Sequence, residues 1–469
     1  MKKNHFITLI GTCCLAANVF AAPVSVPFDS DRWQFTADSE YSLEDFTDTN
    51  GVTYSAIKMI KALGFVTDAN FTNGTVEFDT VFDVNASDVY KDETGLLFRA
   101  QDQDNYELVH FRDYEFGTPY GLHYMPVNDT EHPLQLYYGP GHNPVSIDKP
   151  LGIWTHVKVV VSGTEGEVYV GDMENPIMFI NDLKQGEQTG MVGIFGGYNV
   201  PPAVRAPSYV ANFSYESMDT APTLKKGDVV QEVAYVNDPN MINAWMISDV
   251  FSGKTLDNRP ELTVNDQQAR SWDRLATDNV GIAYISKIRL LDRANRINDT
   301  VFARVTIKSN SVQTKQLQFG FSDTAKVYLN GKLIFSGNDS FRSRDYRFLG
   351  TIGFFDNLYL PLQAGDNELW FAVSEVLAGW GLKARFANMD GIEVVAADAP
   401  SSFDTITADD VRQNACLTSY TNGVLNIPCI AFPVLNEAGE TEVNLYSIDL
   451  IQDDTGYLFG VDLDSIVPK

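Results

Sequence analysis

Between Thr75 and Tyr215 the chain is cut by Gly, Asn and Asp at short, nearly regular intervals, and no helical period survives between the cuts. The runs left between turns have strand length and β-rich composition. They are Thr75–Phe82, Gly95–Ala100, Tyr106–Arg112, Gly121–Met125, Leu134–Tyr138, Trp154–Val161, Glu167–Val170, Gly190–Phe195 and Val210–Tyr215. Short strands of this kind bury one face each and need a second sheet to cover it, which points to a β-sandwich. Aromatic residues, 12% of the chain and mostly Phe and Tyr, suit the same class. Ser55–Leu63 has the Ala and Lys content of a helix, but its setting among strands makes a strand the better expectation. The fold class expected is all-β: two jelly-roll sandwiches and a small C-terminal β module.

The amino terminus reads as an export signal. Lys2 and Lys3 precede an apolar run, Phe6 to Phe20, that is too short to span a bilayer, and Val19-Phe20-Ala21 offers small or apolar side chains for cleavage. The expected location is therefore periplasmic or extracellular, with no membrane insertion. Formal net charge is −28. A field of that sign repels polyanions and argues against nucleic acid, anionic membrane surface or sulfated polysaccharide as partner. Neutral, hydroxyl-rich ligands and cations remain. Cleavage leaves two cysteines, Cys416 and Cys429, and an even pair in an oxidising compartment reads as one disulfide.

Polar, Pro-containing stretches divide the chain. Residues 1–21 are the signal peptide, 22–218 a first sandwich, 219–227 a linker within the polar stretch Met218–Gly227 (MDTAPTLKKG), 228–395 a second sandwich, and 396–469 a small module. Val424–Ile427, Tyr446–Ile451 and Tyr457–Leu463 suggest a three-stranded meander in that module, after a short helix near Thr407–Asn414. At this size it needs a staple, which a Cys416–Cys429 bond would supply.

The runs NFTNGTVEFD, GLLFRAQDQDNYELVHFR, WTHVKVVVSGTEGEVYVGD, GMVGIFGG and VANFSYE resemble the concanavalin A-like lectin/glucanase superfamily, closest to its laminin-G-like and 3-keto-disaccharide-hydrolase-like branches. The resemblance implies a two-sheet jelly roll that binds glycans on a concave sheet or at a loop rim, often with a structural calcium. FGFSDTAKVYLNGKLIFSG with YLPLQAGDNELWFAVSEVLAGWGLKARF is similar to the galactose-binding-like jelly rolls attached to glycoside hydrolases. Its Asn330-Gly331 pair is the favoured two-residue hairpin turn, so Val327–Leu329 should pair with Leu333–Ser336. Trp380 and Tyr346 with Arg344 and Asp339 would line a loop-rim sugar site there, or else pack as core and edge.

Strand alternation supplies the candidate ligand residues of the first sandwich. Tyr106, Leu108, His110 and Arg112 share one face of their strand. Arg99 opposes Leu96 and Phe98, His123 opposes Leu122 and Tyr124, and Gln135 and Tyr137 oppose Leu134 and Leu136. Side by side, Arg99, His110, Arg112, His123, Gln135 and Tyr137 would make a groove of planar donors and rings suited to sugar. The alternative is an ordinary solvated sheet face. Glu77, Asp79 and Asp83 mimic the carboxylate row of laminarinase-type glycosidases, but the last position is one methylene short, so a polar strand face is the expectation. The lectin/glucanase resemblance implies that His156, in WTHVKVVV, is scaffold. The hairpin Asp102, Asp104, Asn105 is oxygen-rich and would suit Ca2+, though no cofactor is required. The function expected is an exported, non-catalytic carbohydrate-binding protein for a neutral oligo- or polysaccharide. The alternatives are a glycoside hydrolase or 3-keto-glycoside hydrolase/lyase, and a structural or adhesive surface protein.

Overall fold

The structure is a computed structural model. It describes residues 22–82, 93–118, 120–137, 146–147, 151–197, 201, 205–226, 234–235, 237–263, 266, 270–291, 299–345, 348–376, 378–397, 419–421, 424–435, 441–452 and 459–468. The described chain is nearly all β, in antiparallel sheets, as its composition and turn spacing led one to expect. Among the described residues no helix is long and apolar enough to cross a membrane.

One 19-residue strand, Thr53–Phe71, organises the first sandwich. Its first half pairs with Glu40–Thr47 and Ser208–Ser217, and its second half with Trp33–Phe35 and Gly190–Gly196. It therefore belongs to both sheets, and the stretch that resembled a helix is a strand. The first sheet continues from Ser208–Ser217 through Gly74–Val81, Trp154–Ser162, Glu165–Val170 and Met178–Ile180. The second continues from Gly190–Gly196 through Glu93–Ala100, Tyr106–Arg112 and Leu122–Val127. Between the sheets lie Phe71, Val76, Phe78, Leu96, Phe98, Val109, Phe111, Val157, Val159, Ile194, Val210 and Phe213, all buried. Each comes from the apolar phase of a period-two strand, so burial of that phase fixes the register.

The second sandwich pairs a sheet built on Thr300–Ser309 and Gly365–Ser374 with one built on Gln313–Ser322 and Gly381–Phe386. The hairpin at Asn330-Gly331 forms as expected, with both residues at positive φ (50° and 79°) and Leu329 paired with Lys332. Trp380 is fully buried in this core, its indole N–H donating to the Val373 carbonyl at 3.1 Å, so it lines no sugar site. Arg344 bonds Asp339 at 2.7 Å, and Tyr346 lies outside the described residues. The C-terminal module has four strands rather than three: Ser419–Thr421, Val424–Leu435, Thr441–Gln452 and Phe459–Pro468. Cys429 lies on the second of these; Cys416 and the expected helix at 407–414 lie outside the described residues.

The two sandwiches interlock. Leu134–Tyr137, expected as a strand, is a single helical turn that inserts into the second sandwich. Leu136 and Tyr137 pack with Val280, Ile282, Tyr284 and Ile352 in one apolar cluster. The Gln135 backbone N–H donates to the Ala378 carbonyl at 2.8 Å, its carbonyl accepts from Ile352 N–H at 2.9 Å, and its side-chain oxygen accepts from the Ser322 hydroxyl at 2.5 Å. Gly379 makes the close approach possible: it sits at φ +139°, and a Cβ there would fall 2.8 Å from Leu136 Cγ. The expected linker is also engaged, since Lys225 bonds Glu174 and the Pro222 carbonyl accepts from Ser162 Oγ at 2.7 Å.

Candidate functional site

The six side chains expected to line a groove do not form an open one. His110, Arg112 and His123 do share a face of the second sheet, but that face is filled. On that same face Leu63, Phe65, Leu97, Leu108, Met125, Val127 and Phe195 form a second buried apolar cluster. His110 Nδ1 and His123 Nε2 share a hydrogen bond of 3.1 Å in full burial, and Glu93 stands 3.6 Å from His110 Nε2. Burial first, then the neighbouring His110 and Arg112, holds His123 well below the usual imidazole range. Arg112, with 17% of its side chain exposed, donates to the Tyr114 hydroxyl at 2.7 Å and lies near Glu93 and Glu115.

Arg99 points elsewhere. Its backbone adopts φ +52°, beside a register shift in the ladder to Gly190–Gly196, and this turns the side chain towards the loops of the other sheet. There it donates to the carbonyls of Thr72 (2.8 Å), Gly186 (2.9 Å) and Gly163 (2.6 Å). Gln135 and Tyr137 are buried between the sandwiches, with the Tyr137 hydroxyl donating to Asp278 at 2.8 Å. The reason for the difference is coverage. Alternation told the two faces of each strand apart, but solvent reaches neither face of this sheet.

The other sheet is open on its outer face. Residues of that phase (Glu44, Phe46, Tyr54, Lys58, Glu77, Asp79, Trp154, His156, Lys158 and Tyr209) are half-buried, whereas Ile57, Val76, Phe78, Val157, Val159 and Val210 of the opposite phase lie in the core. Pairing puts Asp79 opposite His156 and Glu77 opposite Lys158. His156 Nδ1 lies 2.8 Å from Asp79 Oδ1 and Nε2 lies 3.2 Å from Glu77 Oε2, so both ring nitrogens face carboxylates. These bonds, Asp79 first and Glu77 second, raise the imidazole to about 9 against the cost of burial. Glu77 is held below its usual range, first by its bond from His156. Burial pushes Asp79 up, but the bonds from His156 and Asn212 outweigh it and hold it low. Asn212, at φ +53° in a bulge, donates to Asp79 Oδ2 at 2.7 Å from an exposed position.

Beside this polar cluster stands an aromatic one. Phe46 stacks on Tyr209 at 4.0 Å and meets Trp154 edge-on at 5.9 Å, and Tyr54 tilts against Trp154 at 5.0 Å. Lys58 pairs with Glu44 at 3.4 Å and lies 5.8 Å from the Tyr209 ring. The surface thus offers half-exposed rings next to a fixed hydrogen-bonding cluster. A hydroxyl-rich ligand can lay C–H groups on the rings and exchange hydrogen bonds with the polar groups. Glycosidase chemistry asks for one carboxyl kept protonated and its partner ionised. Here one imidazolium holds both Glu77 and Asp79 ionised, and Asp83 lies outside the described residues.

Phe46, Tyr54, Trp154, His156, Tyr209 and Asn212 are the residues sequence reasoning missed. The alternation in WTHVKVVV does separate Trp154, His156 and Lys158 from the valines, but their meeting with Asp79 depends on pairing between distant strands. At the hairpin proposed for calcium, Asp102 accepts from the Asp104 N–H at 2.8 Å and from the Asn105 side chain at 2.9 Å, so it closes its own turn. Among the described residues no group of three acidic, His or Cys side chains is placed to hold a metal ion.

No family model matches the chain, and no curated protein matches it. Among solved structures it is similar to the carbohydrate-binding module CBM66 from Bacillus subtilis, at 13% identity and TM-score 0.26 over 40% of this chain and 96% of that one. It is similar to a family 35 carbohydrate-binding module from an environmental isolate, at 19% identity and TM-score 0.16 over 21% of this chain and 73% of that one. The N-terminal CBM22-1–CBM22-2 tandem domain of Paenibacillus barcinonensis Xyn10C matches at 10% identity and TM-score 0.20, over 81% of this chain and 99% of that one. Likeness at these scores carries no argument about what this chain binds.

Proposed function

We propose that the chain is an exported, non-catalytic carbohydrate-binding protein that takes a neutral oligo- or polysaccharide on the open sheet of its first sandwich. The observation that carries the reading is one half-exposed sheet face holding Phe46, Tyr54, Trp154 and Tyr209 beside the His156–Glu77–Asp79–Asn212 cluster. The concanavalin A-like and galactose-binding-like assignments of the two sandwiches belong to the same proposal. A shallow face of this kind gives modest affinity, on the order of micromolar to millimolar. Salt should matter little, because a neutral sugar releases no counterions. The test is a glycan array on the mature chain, followed by assay of Glu77→Gln on the best hit. Retained binding with no turnover in either protein supports the reading. Turnover in the parent that falls a hundredfold or more in a folded Glu77→Gln would make the first sandwich an enzyme.

A further inference from the structure

The contact between the sandwiches contains one pair of groups whose chemistry goes beyond packing. Lys184, in the loop after Met178–Ile180, has a fully buried side chain. Its ammonium nitrogen donates to Asn279 Oδ1 of the second sandwich at 2.6 Å and to Asp182 Oδ2 at 3.0 Å, and it lies 5.4 Å from the Tyr137 ring. Both ends are held. The Lys184 N–H donates to the Tyr124 hydroxyl at 2.7 Å, and its carbonyl accepts from Lys287 Nζ at 2.7 Å. The Asn279 carbonyl accepts from the Tyr235 N–H at 2.6 Å, and the preceding Asp278 accepts from Val280, Ile282 and Tyr137.

We propose that Lys184 and Asn279 form an intramolecular isopeptide bond that joins the two sandwiches covalently. A hydrogen bond to Oδ1 leaves the amine one covalent bond away from Cγ, the electrophilic carbon. Fixing both partners converts a slow bimolecular reaction into a unimolecular one, with the Lys184 side chain held out of water against a half-buried Asn279 and Asp182. A lysine amine attacks only after losing its proton, and Asp182 is placed to take it. The steps balance. Asp182 accepts a proton from the Lys184 ammonium, and the neutral amine adds to Asn279 Cγ. The Cγ–Nδ2 bond then breaks as Nδ2 gains the proton that Nζ sheds. Ammonia leaves, takes the proton held by Asp182 and departs as ammonium, so the carboxylate is regenerated. One amide bond replaces another, the protein loses one positive charge, and no oxidant, metal or nucleotide is consumed.

Mass spectrometry of the purified mature protein, after reduction of disulfides, tests this directly. The intact mass should fall below that of the mature sequence by one ammonia. Trypsin, which cannot cut after an acylated lysine, should release a branched peptide joining the segments around Lys184 and Asn279. Asn279→Ala should restore the full sequence mass. Asp182→Asn, which keeps the shape of the side chain, should do the same without unfolding the chain. Full mass in the parent protein, with the two segments recovered as separate linear peptides, would overturn the proposal. A branched peptide persisting in Asp182→Asn would overturn the role given to Asp182.

Discussion

Replacing Arg99 by Met separates a structural role for this side chain from a ligand-binding one. The guanidinium is completely buried and gives charged hydrogen bonds to the carbonyls of Thr72, Gly186 and Gly163 at 2.8, 2.9 and 2.6 Å, with a longer one to Asn73 Oδ1 at 3.5 Å. Met fills much of the same volume but leaves all three carbonyls without a donor. Hydrogen bonds to a charged group contribute about 1.5–3 kcal/mol each, and such losses do not add fully because loops relax and admit water. Breaking a buried charged network typically costs about 3–5 kcal/mol, so we expect about 4 kcal/mol here. A chain of several domains need not unfold in one step, so the readout is amide hydrogen exchange. Amides of Glu93–Ala100 and Tyr106–Arg112 should exchange up to about a thousandfold faster in Arg99→Met, the factor equivalent to 4 kcal/mol. Glycan affinity of the protein that remains folded should be unchanged. A loss of protection below about tenfold, or lost affinity with protection intact, would refute the structural role.

Further outcomes follow from the other elements. The raised pKa of His156 stabilises the fold fully below the unfolded value of 6.5, and that contribution disappears as pH rises through about 9. The lowered values of Glu77 and Asp79 act oppositely, their contribution disappearing only as pH falls through the acid range. With 37% of the His156 side chain exposed, solvent screening reduces the effect to about 1 kcal/mol. His156→Gln should therefore melt below the parent at pH 6 and level with it near pH 10; a gap independent of pH would contradict the pairing. Gly379→Val places a branched side chain at positive φ against Leu136, so exchange should rise at both Leu134–Tyr137 and 278–284; an unchanged pattern would mean the turn does not lock the sandwiches. Cys416 and Cys429 should give no free thiol in the denatured, unreduced mature protein, and two titratable thiols would remove the expected staple.

Much of the fold was legible because it depends on local signals. Tyr106–Arg112 and the Asn330-Gly331 hairpin form where alternation and turn chemistry put them. Ser55–Leu63 is a strand despite its helical composition, because pairing on both sides outweighs propensity. The site was not legible in the same way. Leu108 and Met125, on the phase that carries His110 and His123, were signs that this phase is buried, but the apolar cluster they join is completed by Leu63, Phe65 and Phe195 from strands distant in sequence. The turn Leu134–Tyr137 is too short for a helical period to show, and its burial depends on a second sandwich more than a hundred residues along. The bridge from His156 to Glu77 and Asp79 depends on a pairing between Gly74–Val81 and Trp154–Ser162, across a long stretch of intervening chain.

Calorimetric titration of the best array glycan into Trp154→Ala and Arg112→Ala, each beside the parent, tests the placement of the site most directly. Trp154 stands on the open sheet, whereas Arg112 ends an inner strand of the packed one. Loss of one aromatic contact costs about 1 kcal/mol, so Trp154→Ala should weaken binding roughly fivefold while Arg112→Ala leaves it unchanged. Weaker binding in Arg112→Ala with full affinity in Trp154→Ala would contradict the account and return the ligand to the other sheet.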